Sequence, residues 1–162
     1  MAVRRSADTG RGGTGGVRMI DVGGKRSTRR EATASARVVI GADALRRLQA
    51  GRIPKGDVLT VARVAGIAAA KRTADLLPLC HPLPISMVEV DAVPEPPEAV
   101  AILARVRVQA RTGVEMEALT AAAVAALTVY DMCKSVSRAA EITHVRLESK
   151  SGGRSGNLVA KR

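Results

Sequence analysis

Residues 99–111, with the sequence AVAILARVRVQAR, alternate apolar and polar side chains over most of their length. A period of two residues is typical of a β-strand with one buried face, because successive side chains point to opposite sides of a sheet. One face of this stretch is aliphatic, and the other is polar and largely basic: Arg105, Arg107, Gln109 and Arg111. The stretch therefore predicts a strand that covers a core on one side only.

The flanking sequence extends this pattern into a complete fold. Alternation predicts three more strands, at residues 33–40, 85–93 and 142–149. Helical spacing predicts helices at residues 43–50, 58–77 and 113–138. Asp57 is the expected N-cap of the second helix, and the short gap at residues 94–97 predicts an antiparallel hairpin.

Without the short helix at residues 43–50, the order of elements is β-α-β-β-α-β. This order predicts an α+β, ferredoxin-like fold, in which a four-stranded antiparallel sheet carries helices on one face. The second face of the sheet would then face solvent or another subunit, and we expect an oligomer. Residues 19–156 are predicted to form one domain, preceded by a disordered basic tail at residues 1–18 and followed by a basic tail at residues 157–162.

Composition narrows the possible partners. The 162 residues carry a formal net charge of +11, with no Trp, no Phe and one Tyr. The charge predicts an anionic partner. Single-stranded nucleic acid is usually held by bases stacked on aromatic rings, which this chain nearly lacks. A duplex backbone and a phosphorylated small molecule remain as candidates.

The cellular compartment can also be predicted. Cys80 and Cys133 are too few for a disulfide scaffold, which favours a reducing compartment. No apolar segment typical of a signal peptide follows Arg4 and Arg5. No window of about 18 apolar residues is free of charge, so no membrane span is expected. The sequence predicts a cytoplasmic protein.

Several polar segments could carry chemistry. Asp131 and Lys134 are neighbours on a helix at a spacing of three residues, either as a surface ion pair or as a carboxylate that a Lys keeps ionised for proton transfer. His81, in a loop stiffened by prolines, is either a structural or a catalytic imidazole. Glu115 and Glu117 begin a helix and cannot share one of its faces.

The scattered cations and the two cysteines each allow more than one interpretation. Four cations, Arg30, Lys55, Lys134 and Lys150, form either a solvated basic surface or, when brought together, a phosphate pocket. A zinc site built from Cys80, His81, Cys133 and His144 has poor ligand spacing, and the alternative is that Cys80 and Cys133 are small buried groups. The run at residues 23–26, Gly-Gly-Lys-Arg, lacks the spacing of a phosphate-binding P-loop.

Taken together, these segments resemble the cyclic pyranopterin monophosphate synthase family of molybdenum cofactor biosynthesis. The resemblance runs from about Met19 to about Gly156. The motifs that carry it are Met19–Val22, Arg30–Ala32, Lys55–Val58, Ala65–Thr73, Leu77–Leu83, Thr112–Thr120, Tyr130–Lys134 and Lys150–Gly153.

The resemblance implies a lyase. Its substrate is expected to be 3′,8-cyclo-7,8-dihydroguanosine 5′-triphosphate, supplied by a radical enzyme that acts on GTP, and its products cyclic pyranopterin monophosphate and pyrophosphate. The family fold is ferredoxin-like, and the expected assembly is a hexamer, a trimer of dimers with sites shared between subunits. No resident cofactor or metal is expected, although Mg²⁺ can accompany the triphosphate.

The resemblance also assigns roles to residues at matching positions. Asp131 resembles the general acid/base, Lys134 its catalytic partner, and Lys55 a further catalytic or phosphate-facing Lys. His81 resembles a catalytic or ring-binding group. The substrate-binding positions it implies are Cys80, His81, Glu115, Met116, Glu117, Arg30 and Lys150.

Two further function classes compete with a lyase. A ferredoxin-like nucleic-acid-binding module fits the charge and the fold, but it predicts aromatic side chains on central strands, and residues 99–111 have none. A purely structural oligomeric subunit would not require His81, Asp131 and Lys134 to converge.

Overall fold

The computed structural model describes residues 16–153 and 156–160. Most of the predicted N-terminal tail, residues 1–15, lies outside the described residues, as do residues 154–155 and 161–162. The elements in chain order are β1 Thr28–Val39, α1 Ala42–Gln49, α2 Val58–Ala70, α3 Thr73–Leu76, β2 Ile85–Glu95, β3 Ala99–Ala110, α4 Glu115–Cys133, β4 Glu141–Ser151 and β5 Leu158–Val159.

The sheet is antiparallel throughout, with the strand order β2-β3-β1-β4-β5. The elements β1-α2-β2-β3-α4-β4 follow the predicted β-α-β-β-α-β order. The predicted number of four strands is wrong, because β5 adds a fifth at the edge beside β4, with Lys150 opposite Leu158. A pair of residues is too short to show alternation, so β5 leaves no pattern in the sequence.

One face of the sheet is covered by helices. Alternate residues of β1 and β3 are buried there, among them Ala34 and Val38 on β1 and Ala104 and Val106 on β3. α4 packs across β1, β3 and β4, while α2 packs on α4 and β2. The buried side of α4 consists mainly of alanines: Ala118, Ala121, Ala122, Ala125 and Ala126. These small side chains let the helix lie close to the sheet.

The other face of the sheet carries the charged residues of the strands. Arg107 on β3 pairs with Glu31 on β1 at 2.6 Å. Arg105 on β3 pairs with Glu89 on the neighbouring β2 at 3.2 Å, and Arg37 on β1 reaches past β3 to Glu95 on β2 at 2.8 Å. Opposite charges on neighbouring strands stabilise a sheet modestly, by about 0.2–1 kcal/mol each. Three arginines of this face, Arg37, Arg105 and Arg107, are therefore already partnered by carboxylates.

Helix boundaries follow local hydrogen bonds. Asp57 is the N-cap of α2 as predicted, since its carboxylate accepts from the Thr60 amide at 3.1 Å. α2 was predicted to continue to residue 77 but ends at Ala70, and Thr73 begins the separate helix α3. The buried Thr73 hydroxyl donates to the Ala70 carbonyl at 2.9 Å. This side-chain bond competes with the backbone amide that would otherwise bond to that carbonyl and continue the helix.

α4 is shorter than predicted because its last turn tightens. The Val136 and Ser137 amides both bond to the Cys133 carbonyl at 2.9 Å, which closes the helix at that residue. Within the part of the chain that is described, α4 is the one helix long and apolar enough to span a membrane by length and composition. In this fold it is the central core helix, and its apolar side is buried on the sheet.

The crossing of α2 and α4 gives a test of this packing. A Cβ at Gly66 of α2 would lie 2.9 Å from the Ala121 carbonyl oxygen and 3.2 Å from Val90. Gly→Ala within a helix ordinarily adds about 0.5–1 kcal/mol of stability. We expect Gly66→Ala instead to lower the free energy of unfolding by about 1–3 kcal/mol, because the helices must separate.

Urea denaturation measures this change. Ala68→Gly on the exposed side of the same helix is the matched control, with an expected loss of about 1 kcal/mol from helix propensity alone. A stabilising Gly66→Ala would contradict the close crossing of the two helices.

Candidate active site

A carboxylate held by two lysines lies at the carboxyl end of α4. The Asp131 carboxylate accepts from Lys55 at 2.5 Å and from Lys134 at 2.8 Å. The spacing prediction that Asp131 and Lys134 are neighbours is confirmed. Lys55 arrives from the loop before α2, which is anchored by buried Ile53 and tightened by the Gly56 amide bonding to the Ile53 carbonyl at 3.0 Å.

The charges of this cluster reinforce one another. Hydrogen bonds from Lys134 and then Lys55 lower the pKa of Asp131 from 3.8 to about 2. The bond to Asp131 in turn raises the pKa of Lys134 above its ordinary value. At neutral pH the cluster is one carboxylate between two ammonium groups with a net charge of +1, and all three side chains are partly exposed. It can bind an anion and donate protons from nitrogen.

A second polar site lies at the amino end of α4. Glu115 accepts from Lys150 of β4 at 2.9 Å. Arg30 of β1 donates from Nε to the Ala110 carbonyl and from Nη2 to the Arg111 carbonyl, both at 3.3 Å. These residues line a cavity of about 660 Å³, whose cationic lining side chains are Lys25, Arg26, Arg30, Arg111 and Lys150. Its volume fits a small phosphorylated ligand.

Glu115 stays ionised in this cavity. Burial raises its pKa, but the hydrogen bond from Lys150, the bond from its own backbone amide and the charges of Lys150 and Arg30 outweigh burial. Its pKa is therefore below the ordinary 4.5. The cavity wall thus combines one ionised carboxylate of α4 with several cations.

Three cations of this cavity, Lys25, Arg26 and Arg111, are candidate site residues that the sequence patterns do not reveal. Lys25 and Arg26 follow a glycine pair that lacks the P-loop spacing, and the alternation of residues 99–111 places Arg111 on a polar strand face. Arg111 Nη1 donates to the Gly23 carbonyl at 3.0 Å, which ties the turn before Lys25 to the end of β3. For Lys25 and Arg26, the available signal in the sequence was that two consecutive cations directly follow two glycines.

Cys80 and Glu117 meet near the start of α4. Glu117 is only 2% exposed, and the Cys80 thiol donates to Glu117 Oε1 at 3.7 Å. Burial raises the pKa of Glu117, and burial with the adjacent carboxylate raises the pKa of Cys80. Within the described residues, Glu117 Oε2 has no hydrogen-bond partner. A buried acceptor of this kind is suited to an N–H group of a ligand.

The remaining predicted site residues are Met116 and His81. Met116 is exposed beside Glu115, and the half-buried His81 follows Cys80 without a hydrogen bond to any described residue. Glu115 and Glu117 point to different sides of α4, as predicted. Glu115 faces the cavity, and Glu117 faces the core.

The four residues of the possible zinc site are not assembled. Cys133 is fully buried, and burial raises its pKa to about 11. His144 lies on the open face of the sheet, 3.3 Å from the Ser35 hydroxyl. Across residues 16–153 and 156–160, no three His, Cys, Asp or Glu side chains are grouped to hold a metal ion.

The candidate residues therefore form two groups on one chain. The amino-end group consists of Arg30, Cys80, Glu115, Glu117 and Lys150. The carboxyl-end group consists of Lys55, Asp131 and Lys134. Glu115 and Asp131 are sixteen residues apart on α4, which at 1.5 Å per residue is about 24 Å. A single chain does not bring the two groups together.

Comparison with known proteins decides the family. The model of the MoaC family matches residues 19–153. The chain belongs to the MoaC family. The matched range contains both groups of candidate residues, and the resemblance inferred from the sequence motifs is confirmed.

The similar proteins cover nearly the same span. The chain is 56% identical over 144 residues to the cyclic pyranopterin monophosphate synthase of Chloroflexus aurantiacus, with 88% of each chain covered. It is 56% identical over 147 residues to that of Roseiflexus sp., covering 90% of this chain and 93% of the relative. Cyclic pyranopterin monophosphate synthase 1 of Mycobacterium bovis is 56% identical over 142 residues, covering 88% and 84%.

The lysine-held carboxylate can be tested by titration. We expect Asp131 to titrate near pH 2, since both ammonium groups stabilise its ionised form. In Lys134→Met the midpoint should rise towards the ordinary 3.8, and in Lys55→Met it should rise less, because the Lys134 bond has the larger effect.

Side-chain ¹³C NMR from about pH 1 to 6 measures these midpoints. Asp57, whose pKa is lowered by the hydroxyl and amide of Thr60, serves as the internal control. An Asp131 midpoint that is the same in the native protein and both variants would rule out the cluster as described.

Proposed function

We propose that this chain is a cyclic pyranopterin monophosphate synthase, a lyase. It converts 3′,8-cyclo-7,8-dihydroguanosine 5′-triphosphate to cyclic pyranopterin monophosphate and pyrophosphate in molybdenum cofactor biosynthesis. The observation that carries the proposal is the Asp131 carboxylate held between Lys55 and Lys134, in a chain of the MoaC family. These are the positions to which the sequence resemblance assigned the catalytic work.

The cavity at the amino end of α4 is the proposed site for phosphates. Arg30 and Lys150 are the principal contacts, supported by Lys25, Arg26 and Arg111 in the same wall. A departing pyrophosphate gains negative charge in the transition state, and cations fixed in place before the reaction stabilise that charge without reorganising. Arg30 is held in place by two carbonyl groups at the end of β3.

Proton transfer is assigned to the carboxyl-end group acting as a unit. An Asp with a pKa of about 2 is a weak proton acceptor at neutral pH, so Asp131 keeps Lys55 and Lys134 charged and oriented. The lysine nitrogens donate protons to the rearranging ring or to a phosphate oxygen. When a substrate phosphate takes over a lysine, Asp131 loses that partner, its pKa rises, and it becomes able to accept a proton.

Recognition of the ring is assigned to the remaining residues. Glu117 has a buried and unpartnered oxygen suited to a ring N–H group, and Cys80 fixes its other oxygen. His81 and Met116 complete the ring site, and Glu115 holds Lys150 towards the phosphates. Protein cations take up the phosphate charge, so the proposal needs no resident cofactor, and Mg²⁺ enters only as a companion of the triphosphate.

The distance between the two groups supports a shared site. Both groups must lie within hydrogen-bond distance of one substrate, about 3 Å, yet they are about 24 Å apart on α4. We propose that a second copy of the chain supplies one of the groups. The hexamer expected from the resemblance, a trimer of dimers, would place the opposite ends of two α4 helices around each substrate.

The setting follows from the substrate. The cyclic triphosphate must come from an enzyme that joins C8 of the guanine to C3′ of the ribose of GTP, which is radical chemistry, and we propose a cytoplasmic location.

A nucleic-acid-binding role is less favoured. A sheet that binds nucleic acid through its basic face would need arginines free to contact phosphates. On the open face of this sheet, Arg37, Arg105 and Arg107 are paired with glutamates.

Turnover of the cyclic triphosphate tests the proposal. We expect Asp131→Asn and Lys134→Met each to lower kcat by about 100-fold or more, because each breaks the charge arrangement that moves protons. Pyrophosphate release and chromatographic detection of the pterin product measure the rate.

Asp43→Asn is the matched control. Asp43 is also an exposed helical carboxylate between two cations, at 3.3 Å from Arg46 and 2.9 Å from Arg47, but its ion pairs lie within α1 and it does not line the cavity. Its variant should keep full activity. Native turnover by Asp131→Asn and Lys134→Met would refute the assignment of the site.

A further inference from the structure

The loop after β4 lies directly against the Arg30 guanidinium. Gly153 has a φ of +79°, and a Cβ at this residue would lie 2.2 Å from Arg30 Nη1 and 2.7 Å from its Cζ. Distances this short are not compatible with an unmoved side chain. The guanidinium therefore occupies the space that any residue other than glycine would need at position 153.

The opposite edge of the same guanidinium is also fixed. Nε donates to the Ala110 carbonyl and Nη2 to the Arg111 carbonyl, both at 3.3 Å. Arg30 is thus held between the end of β3 and the loop after β4. Of the five N–H groups of a guanidinium, these two bonds leave three for a ligand.

We propose that Gly153 is a positioning residue for Arg30 in phosphate binding. The missing side chain at residue 153 lets the guanidinium lie in the cavity wall with Lys150, with its remaining N–H groups available to a phosphate. This inference rests on the proposed function, because that proposal makes Arg30 a phosphate contact. An Arg binds phosphate through a fixed, planar set of donors, so a shift of the group weakens binding even though its charge is unchanged.

The neighbouring Gly152 has a different structural role. A Cβ at Gly152, where φ is +91°, would lie 2.2 Å from the Arg29 carbonyl oxygen, which belongs to the backbone of β1. A methyl group there disturbs the strand itself. At Gly153 the methyl group meets only the end of a side chain, which can move, so the effect falls on the ligand site.

Gly153→Ala tests the inference, with Gly156→Ala as the matched control. Gly156 has a φ of +67°, and no atom of the described residues lies within 4 Å of a Cβ there, so its variant carries the same kind of backbone strain without contact to Arg30. We expect Gly153→Ala to raise both KM for the cyclic triphosphate and Kd for inorganic pyrophosphate by about tenfold, with kcat changed less. Gly156→Ala should leave both constants near native values.

A double-mutant cycle shows whether the effect passes through Arg30. We expect Arg30→Ala to weaken pyrophosphate binding, and Gly153→Ala added to Arg30→Ala to weaken it no further. If Gly153→Ala alone fails to fold, the double variant should fold again, because the guanidinium that meets the methyl group is gone.

Three results would overturn the inference: pyrophosphate binding by Gly153→Ala equal to that of Gly156→Ala, a further loss in the double variant as large as in the single one, or an unfolded double variant. Failure of the proposed function is a separate result. A native protein that releases no product from the cyclic triphosphate refutes that function, while the pyrophosphate comparison still decides the role of Gly153.

Discussion

The packing of α4 on the sheet is the constraint on which the site depends. Its five fully buried alanines lie against the covered face, and α2 crosses it closely at Gly66. A helix enclosed in this way is a rigid spacer. It holds Glu115 and Asp131 about 24 Å apart, and this separation is the reason for proposing that two chains share one site.

The high positive charge of the chain is divided by the fold into two kinds of surface. On the open face of the sheet, Arg37, Arg105 and Arg107 pair with glutamates on other strands, and their charge is balanced locally. At the two ends of α4 the cations outnumber the carboxylates beside them. A net charge of +11 predicts an anionic partner but does not locate it, and the excess of cations over carboxylates at the two ends of α4 points to those ends.

Sequence patterns predicted those elements that depend on interactions between residues close together in the chain. Alternation predicted β3, and the residue type of Asp57 predicted the start of α2, since both depend on nearest neighbours. The break after Ala70 depends on the buried hydroxyl of Thr73, and β5 depends on an edge that only the folded sheet provides. Likewise, the spacing of Asp131 and Lys134 predicted their contact, whereas Lys55 lies 76 residues away and joins them only through the tertiary fold. The cavity residue Arg111 was missed because strand alternation does not show which strand ends surround a cavity.

Subunit complementation tests most directly whether two chains build one site. Lys134→Met removes a cation of the carboxyl-end group and Lys150→Met one of the amino-end group, so each variant alone should be inactive. Co-expressed with different affinity tags and purified as mixed assemblies, the two variants should recover up to about a quarter of native activity, because random pairing unites two intact halves in that fraction of sites. Mixed assemblies that stay as inactive as the separate variants would contradict the shared site.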